Sequence, residues 1–148
     1  MSKNQIRAAN PKSSVWVSAS AGTGKTRVLV NRILRLLLSG TEPERILCLT
    51  FTRAAAAEMS IRLNSQLSKW ETMSNTLLSD SVESLTSQRP DKKVLIRAKS
   101  LFALVTESSE GIKTETLHGF CQSILRRFPI ESGVPPQFRI ADEKLQSE

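Results

Sequence analysis

The nine residues Ser18-Ala19-Ser20-Ala21-Gly22-Thr23-Gly24-Lys25-Thr26 restrict the fold more than any other stretch, because they end in the Gly-Lys-Thr of the Walker A pattern. A loop of this kind belongs between a strand and a helix. Both flanks predict that order: Ser14 to Ala19, rich in Val and Trp, is expected as a strand, and Lys25 to Leu38 as a long helix. Small residues let the backbone curl until successive N–H groups point inward, and Gly22 and Gly24 allow close approach with no Cβ in the way. The expected product is an anion nest. Lys25 would set its ammonium against β- and γ-phosphates, Thr26 would offer a hydroxyl to Mg²⁺, and the helix would aim its positive end at the same anions. The chemistry implied is binding of a nucleoside triphosphate with Mg²⁺.

The remaining pattern alternates strands and helices. Ser2 to Asn10 predicts a short helix stopped at Pro11. Between Lys25 and Leu38 the apolar residues cover most of the circumference, as suits a helix packed on a sheet and touched elsewhere as well; Ser39-Gly40 ends it. Ile46 to Thr50 predicts a central parallel strand covered on both faces, which completes a βαβ unit. A helix begins at Thr52 or Arg53, with Met59, Ile61 and Leu63 directed at the core. Asn64 to Gly111 is expected as a helical insertion, Ser- and Thr-rich around Thr72 to Gln88 and ending in a helix from Lys92 to Thr106. A third strand at Ile112 to Thr116 and a helix striped with Leu117, Phe120, Cys121, Ile124, Leu125 and Phe128 follow. Pro129 and Gly133 close that helix, with an edge strand at Phe138 to Ile140.

Charge is uneven along the chain. The net charge is +7, the first acidic residue is Glu42, and seven Lys or Arg precede it. The basic end could face a polyanion or serve solubility alone. Cys48 and Cys121 form no zinc or disulfide pattern, and a reducing cytoplasm fits them. The apolar run Val15-Trp16-Val17 is too short for a secretion signal, and no stretch approaches a membrane span. Hydrolysis would also require an acid at a strand end. The one candidate, Asp142-Glu143 after Ile140-Ala141, follows a Pro-Pro loop and reads more as surface than as a Mg²⁺ site.

With these motifs in place, the chain resembles the superfamily one helicases of the UvrD and Rep kind, and among them the AddA helicase-nuclease subunits of double-strand-break repair. Four stretches carry the resemblance. Gln5 lies twenty residues before Lys25, where the family has its adenine-reading glutamine; the loop has the Ala19 that these helicases carry in place of a first glycine. Leu49 to Met59 looks like motif Ia and Thr114 to Phe120 like motif Ib. The wording of Phe120 to Phe128 and of Pro135-Pro136-Gln137-Phe138 favours the AddA group.

The resemblance implies an α/β P-loop NTPase fold: part of a RecA-like domain, with a parallel sheet, helices on both faces and the helical insertion. The whole of 1–148 would be the N-terminal part of an ATP-binding domain, with 1–63, 64–110 and 111–148 as its successive pieces. It implies a nucleotide site of Gln5, Ala19, Ser20, Ala21, Gly22, Thr23, Gly24, Lys25 and Thr26, with ATP and Mg²⁺ as cofactors. Single-stranded DNA would lie at Thr50, Phe51, Thr52, Arg53, Thr116 and His118. A buried Phe51 and a merely solvent-exposed His118 are the plainer alternatives. An AddB-like subunit would be a partner of the full-length relatives, in the cytoplasm. Members run to many hundreds of residues, so Walker B, the second RecA-like domain and the nuclease domain are expected beyond Glu148. Two rival readings stay open: a remnant without turnover, and an unrelated P-loop kinase or ATPase.

Overall fold

The computed structural model describes residues 2–20, 22–135 and 137–138, and it is helix-rich α/β with one small parallel sheet. Helix α1 (Lys3–Ala8) starts at a capping box: the Ser2 hydroxyl accepts from the Gln5 amide, while Gln5 Oε1 accepts from the Ser2 amide. Helix α2 (Lys25–Leu38) starts after Gly24 and ends at Ser39. A 3-10 turn at Pro43–Arg45 leads into strand β1 (Leu47–Thr50). Helices α3 (Arg53–Thr72), α4 (Asn75–Thr86) and α5 (Lys92–Glu107) carry the chain over to strand β2 (Lys113–Thr116). Helices α6 (Leu117–Arg127) and α7 (Pro129–Ser132) follow.

β1 and β2 pair in parallel, Leu47 opposite Lys113 and Thr50 opposite Thr116. Parallel neighbours need a long crossover, and three helices supply it here. The core lies among α2 to α5, where Ile33, Leu34 and Leu37 meet Met59, Leu63, Leu67 and Trp70, then Leu78, Val82 and Leu85, then Ala98 and Leu101. Trp70 is only 1% exposed, and its indole N–H donates to Ser81 at 2.8 Å. Burial therefore leaves no polar group of that ring unpaired. Thr52, Ser74, Asp91 and Thr116 each cap the helix that follows by accepting a backbone N–H.

Several expectations are corrected. Residues 14–20 form no strand: Val15 and Val17 are half exposed and Trp16 is 95% exposed. Val and Trp favour a pleated surface only where a neighbouring strand is present to pack beside. The two described strands pair with each other instead. Nor is β1 covered on both faces, since Leu47 and Leu49 remain 43% and 42% exposed while Cys48 faces the core. In α3, Met59 and Leu63 are buried but Ile61, two positions from each, points away and is exposed. The stripe of α6 buries no residue completely, because that helix rests on the thin sheet and not on the helical core.

The Ser- and Thr-rich stretch proves to be α4, held by Leu78, Val82 and Leu85 at helical spacing. α3 runs without a break through residue 63. Phe138 sits in a turn, its N–H donating to the Pro135 carbonyl at 3.0 Å. Arg139 and Ile140, the remainder of the expected edge strand, lie outside the described residues, as do Ala21, Asp142 and Glu143. No described helix is long and apolar enough to cross a membrane.

Candidate functional site

The glycine turn takes the shape that its small residues allow. Gly22 and Gly24 have φ of +78° and +84°, in the left-handed region where a Cβ would be strained, and α2 opens directly after them. The Thr23 hydroxyl donates to the Ser20 carbonyl at 2.7 Å, closing the turn from inside. Lys25 folds across it: Nζ donates to the carbonyls of Ala19 at 2.8 Å and Ser20 at 2.6 Å. Thr26 is half-buried in the first turn of α2. A Cβ built on Gly24 would stand 3.9 Å from Gln5 Nε2, so the sequence-distant amide lies beside the turn. A cavity of about 470 Å³ adjoins Lys25, lined by Val15, Val17, Val28 and Leu29 between the unpaired segment and α2.

The donors present suit a triphosphate with its metal. An ammonium, the first amides of a helix and one hydroxyl address phosphate, and Mg²⁺ is commonly held through phosphates and water plus one or two protein oxygens. Among the described residues no group of three or more His, Cys, Asp or Glu could hold a metal by itself.

The second cluster forms where the parallel strands end together. Thr50 and Thr116 are register partners, and each strand passes straight into a helix, α3 and α6. Thr52 Oγ1 accepts from the Ala55 amide and Thr116 Oγ1 from the Gly119 amide, both at 3.1 Å. Each keeps a hydroxyl proton to donate. The Thr50 hydroxyl donates to the Thr52 carbonyl at 2.9 Å. Phe51 is 89% exposed between them, which removes the buried-core reading, and His118 is exposed on α6. A groove of about 390 Å³ separates Arg53, Ala56, Ala57 and Ser60 from Thr114, Glu115, Thr116 and Gly119. Crevices at the carboxyl ends of parallel strands are where open α/β sheets bind ligands.

Three features escaped the motif reading. Glu115 lies in the groove, and a Cβ on Gly119 would come within 3.5 Å of its carboxylate and 3.3 Å of Thr116 Oγ1. Glycine is what permits the approach. Arg35 is buried on α2 and donates to the carbonyls of Leu85 and Ile6, and burial draws its guanidinium down from the ordinary arginine value. Arg32, one turn earlier, donates to the carbonyls of Ala8, Asn10 and Ser13. Arginines interrupting an apolar helix were the available signal for both.

The described residues thus combine a glycine turn opening a helix with two parallel strand ends that each launch a threonine-capped helix. The family model for the UvrD/REP helicase N-terminal domain matches residues 1–148, and the chain belongs to that family. Similar proteins carry a more specific name. Those named as the A-type subunit of an ATP-dependent helicase/nuclease are 35% identical in Lactobacillus gasseri over 99% of this chain and 37% identical in Pelotomaculum thermopropionicum over 87% of it. The one in Pediococcus pentosaceus is 32% identical over 87%. The chain spans about a tenth of the length of these relatives.

Proposed function

We propose that this chain is the ATP-binding N-terminal part of a helicase/nuclease subunit, with Mg²⁺-ATP at the glycine turn and single-stranded DNA at the strand ends. The observation that carries the reading is the meeting of Gln5 with Gly24 beside Lys25. An amide that both donates and accepts can read an adenine edge, while turn amides and the ammonium take phosphate. Gln5 Oε1 keeps one lone pair beyond the capping box. Thr26 would bind Mg²⁺. Ala19 to Gly24 would line the phosphate chain, and the phosphates would draw Lys25 off the two carbonyls that it now holds, because they carry full charge.

DNA would cross Thr50 to Arg53 and Thr116 to His118, with bases stacking on Phe51 and hydroxyls donating to phosphate. Glu115 repels phosphate, which turns a bound backbone toward Arg53. The segment 64–110 would be the family's helical insertion between these site-bearing pieces, and an AddB-like subunit would partner the full-length protein in the cytoplasm. Alone, the chain is expected to bind nucleotide and scarcely hydrolyse it. Phosphoryl transfer relies on an acid for the metal and on arginines for the transition state, and the described residues that line the cavity beside Lys25 include no Asp or Glu.

The test is binding of labelled ATP with Mg²⁺ to wild type and Lys25→Ala, together with phosphate release in the presence of single-stranded DNA. The variant is expected to lose roughly 1.5–3 kcal/mol of binding. Equal binding by both proteins would remove the site assignment, and robust turnover that disappears in the variant would remove the claim of incompleteness.

A further inference from the structure

Helix α1 carries the proposed base-reading glutamine, yet its own side chains do little to hold it. Six residues are too few for a helix to persist in water, and no α1 residue is fully buried. Only Ala9, at the helix end, is inside the protein. The grip comes from two α2 arginines one turn apart. Arg32 Nη1 donates to the Ala8 carbonyl at 3.4 Å and to that of Asn10, and Nη2 donates to Ser13 at 2.8 Å. Arg35 Nη1 donates to the Ile6 carbonyl at 3.2 Å. The last carbonyls of a helix lack intrahelical donors, and basic side chains commonly satisfy them.

The two arginines differ in what else they hold. Arg35 is 8% exposed and also binds Leu85 at the end of α4, so it belongs to the core. Arg32 is only half-buried, and its named acceptors all lie between the last residue of α1 and Ser13, on the path from Gln5 to the glycine turn. We propose that Arg32 is a positioning residue for base selection: by clamping three carbonyls of this turn it sets α1, and so Gln5, beside Gly24. The proposal rests on the reading of Gln5 given above. A planar fork can serve several carbonyls at once, and a lysine ammonium on a flexible stem cannot reproduce that.

Wild type, Gln5→Ala, Arg32→Gln, Arg32→Lys and the Gln5→Ala/Arg32→Gln double variant are titrated with ATP, GTP and tripolyphosphate, all with Mg²⁺. Amide hydrogen exchange along residues 3–10 is followed without nucleotide. Arg32→Gln is expected to weaken ATP about tenfold, to bring the ATP-to-GTP ratio to that of Gln5→Ala and to leave tripolyphosphate unchanged. The double variant should be no weaker than either single, because both remove one contact. Amides of Ile6 and Ala9 should exchange faster, and Arg32→Lys should fall between wild type and Arg32→Gln. Additive losses, equal losses for all three ligands, or unchanged exchange in α1 would overturn the proposal. If Gln5→Ala leaves the ATP-to-GTP ratio intact while Arg32→Gln still speeds α1 exchange, the base-reading role of Gln5 is wrong and the clamp alone stands. Should Arg32→Gln fail to fold, Arg32→Lys decides the same questions with the charge retained.

Discussion

The helical block of α2 to α5 differs in construction from two outer parts, the segment 14–20 before α2 and the sheet with its flanking residues through 128. The block encloses Trp70, Leu67, Leu78 and Leu101 almost completely, whereas the outer parts, taken together as the second region, leave Trp16, Leu47, Leu49, Phe51, Leu117 and Phe128 in contact with solvent. Most of the candidate site residues lie in or beside the second region, and most of the cohesion lies in the first. Proteins place binding groups on weakly packed segments held by a rigid scaffold, since such segments can rearrange around a ligand without loss of the fold.

Substitutions can break this contrast or sharpen it. Trp70→Ala should be the most damaging, costing about 3–5 kcal/mol in urea unfolding, because it leaves a cavity in the block and orphans the Ser81 hydroxyl. A loss below about 1 kcal/mol would mean that the block is not the stabilising half. Phe51→Ala is its counterpart: stability should stay within about 0.5 kcal/mol of wild type, while single-stranded DNA binding weakens by about 1–3 kcal/mol and falls steeply with salt. A destabilised Phe51→Ala protein with unaltered DNA binding would reverse the assignment. Gly24→Ala should cost about 1–2 kcal/mol through its positive φ and distort the glycine turn, which the proposed site predicts as weaker ATP binding with an unchanged far-ultraviolet spectrum.

The smallest effect concerns Cys48, at the boundary between the two regions. Burial raises its thiol above the ordinary value of 9.0, although a hydrogen bond with Thr114 opposes this. The folded state therefore favours the neutral thiol, so the contribution to stability is present below about pH 9 and is lost as pH rises through the folded value. Urea midpoints of wild type should decline over that range more than those of Cys48→Ala. Alkylation below it should mark exposed Cys121 first; simultaneous labelling of both would show that the sheet opens freely.

Local signals carried the reading furthest where a helix decides its own ends. The bounds of α2 follow from apolar spacing between Gly24 and Ser39, and Asp91 and Pro90 announce α5. The Gly-Lys-Thr turn was legible as a motif because residue type there dictates geometry, and Thr50 and Thr116 stood in two separate motifs, whose pairing the register supplies. Failures occurred where structure depends on a distant neighbour. Val15-Trp16-Val17 has strand composition, but composition supplies no hydrogen-bonding partner. Ile61 shows that an apolar residue in a helix need not share the buried face, and the polar richness around α4 masked its Leu78, Val82 and Leu85 stripe. Arg32 belongs to no motif, since its acceptors are backbone carbonyls that no motif names, and only its place in an apolar helix marks it.

The register that sets Thr50 against Thr116 also bears on how the molecule acquires its site. Those residues come together only after the three helices of the crossover have folded back on themselves, and such long-range parallel pairing is slow compared with helix formation. Closure of so long a loop costs entropy before any ladder bond offsets it, so the helical block is expected to assemble first and present the two ends to each other. The groove at the strand ends is thus expected to be a late product of folding. A chain emerging from the ribosome carries Phe51 long before the partner strand of β1 exists, and both walls of that groove are present only once residues near 116 have been made.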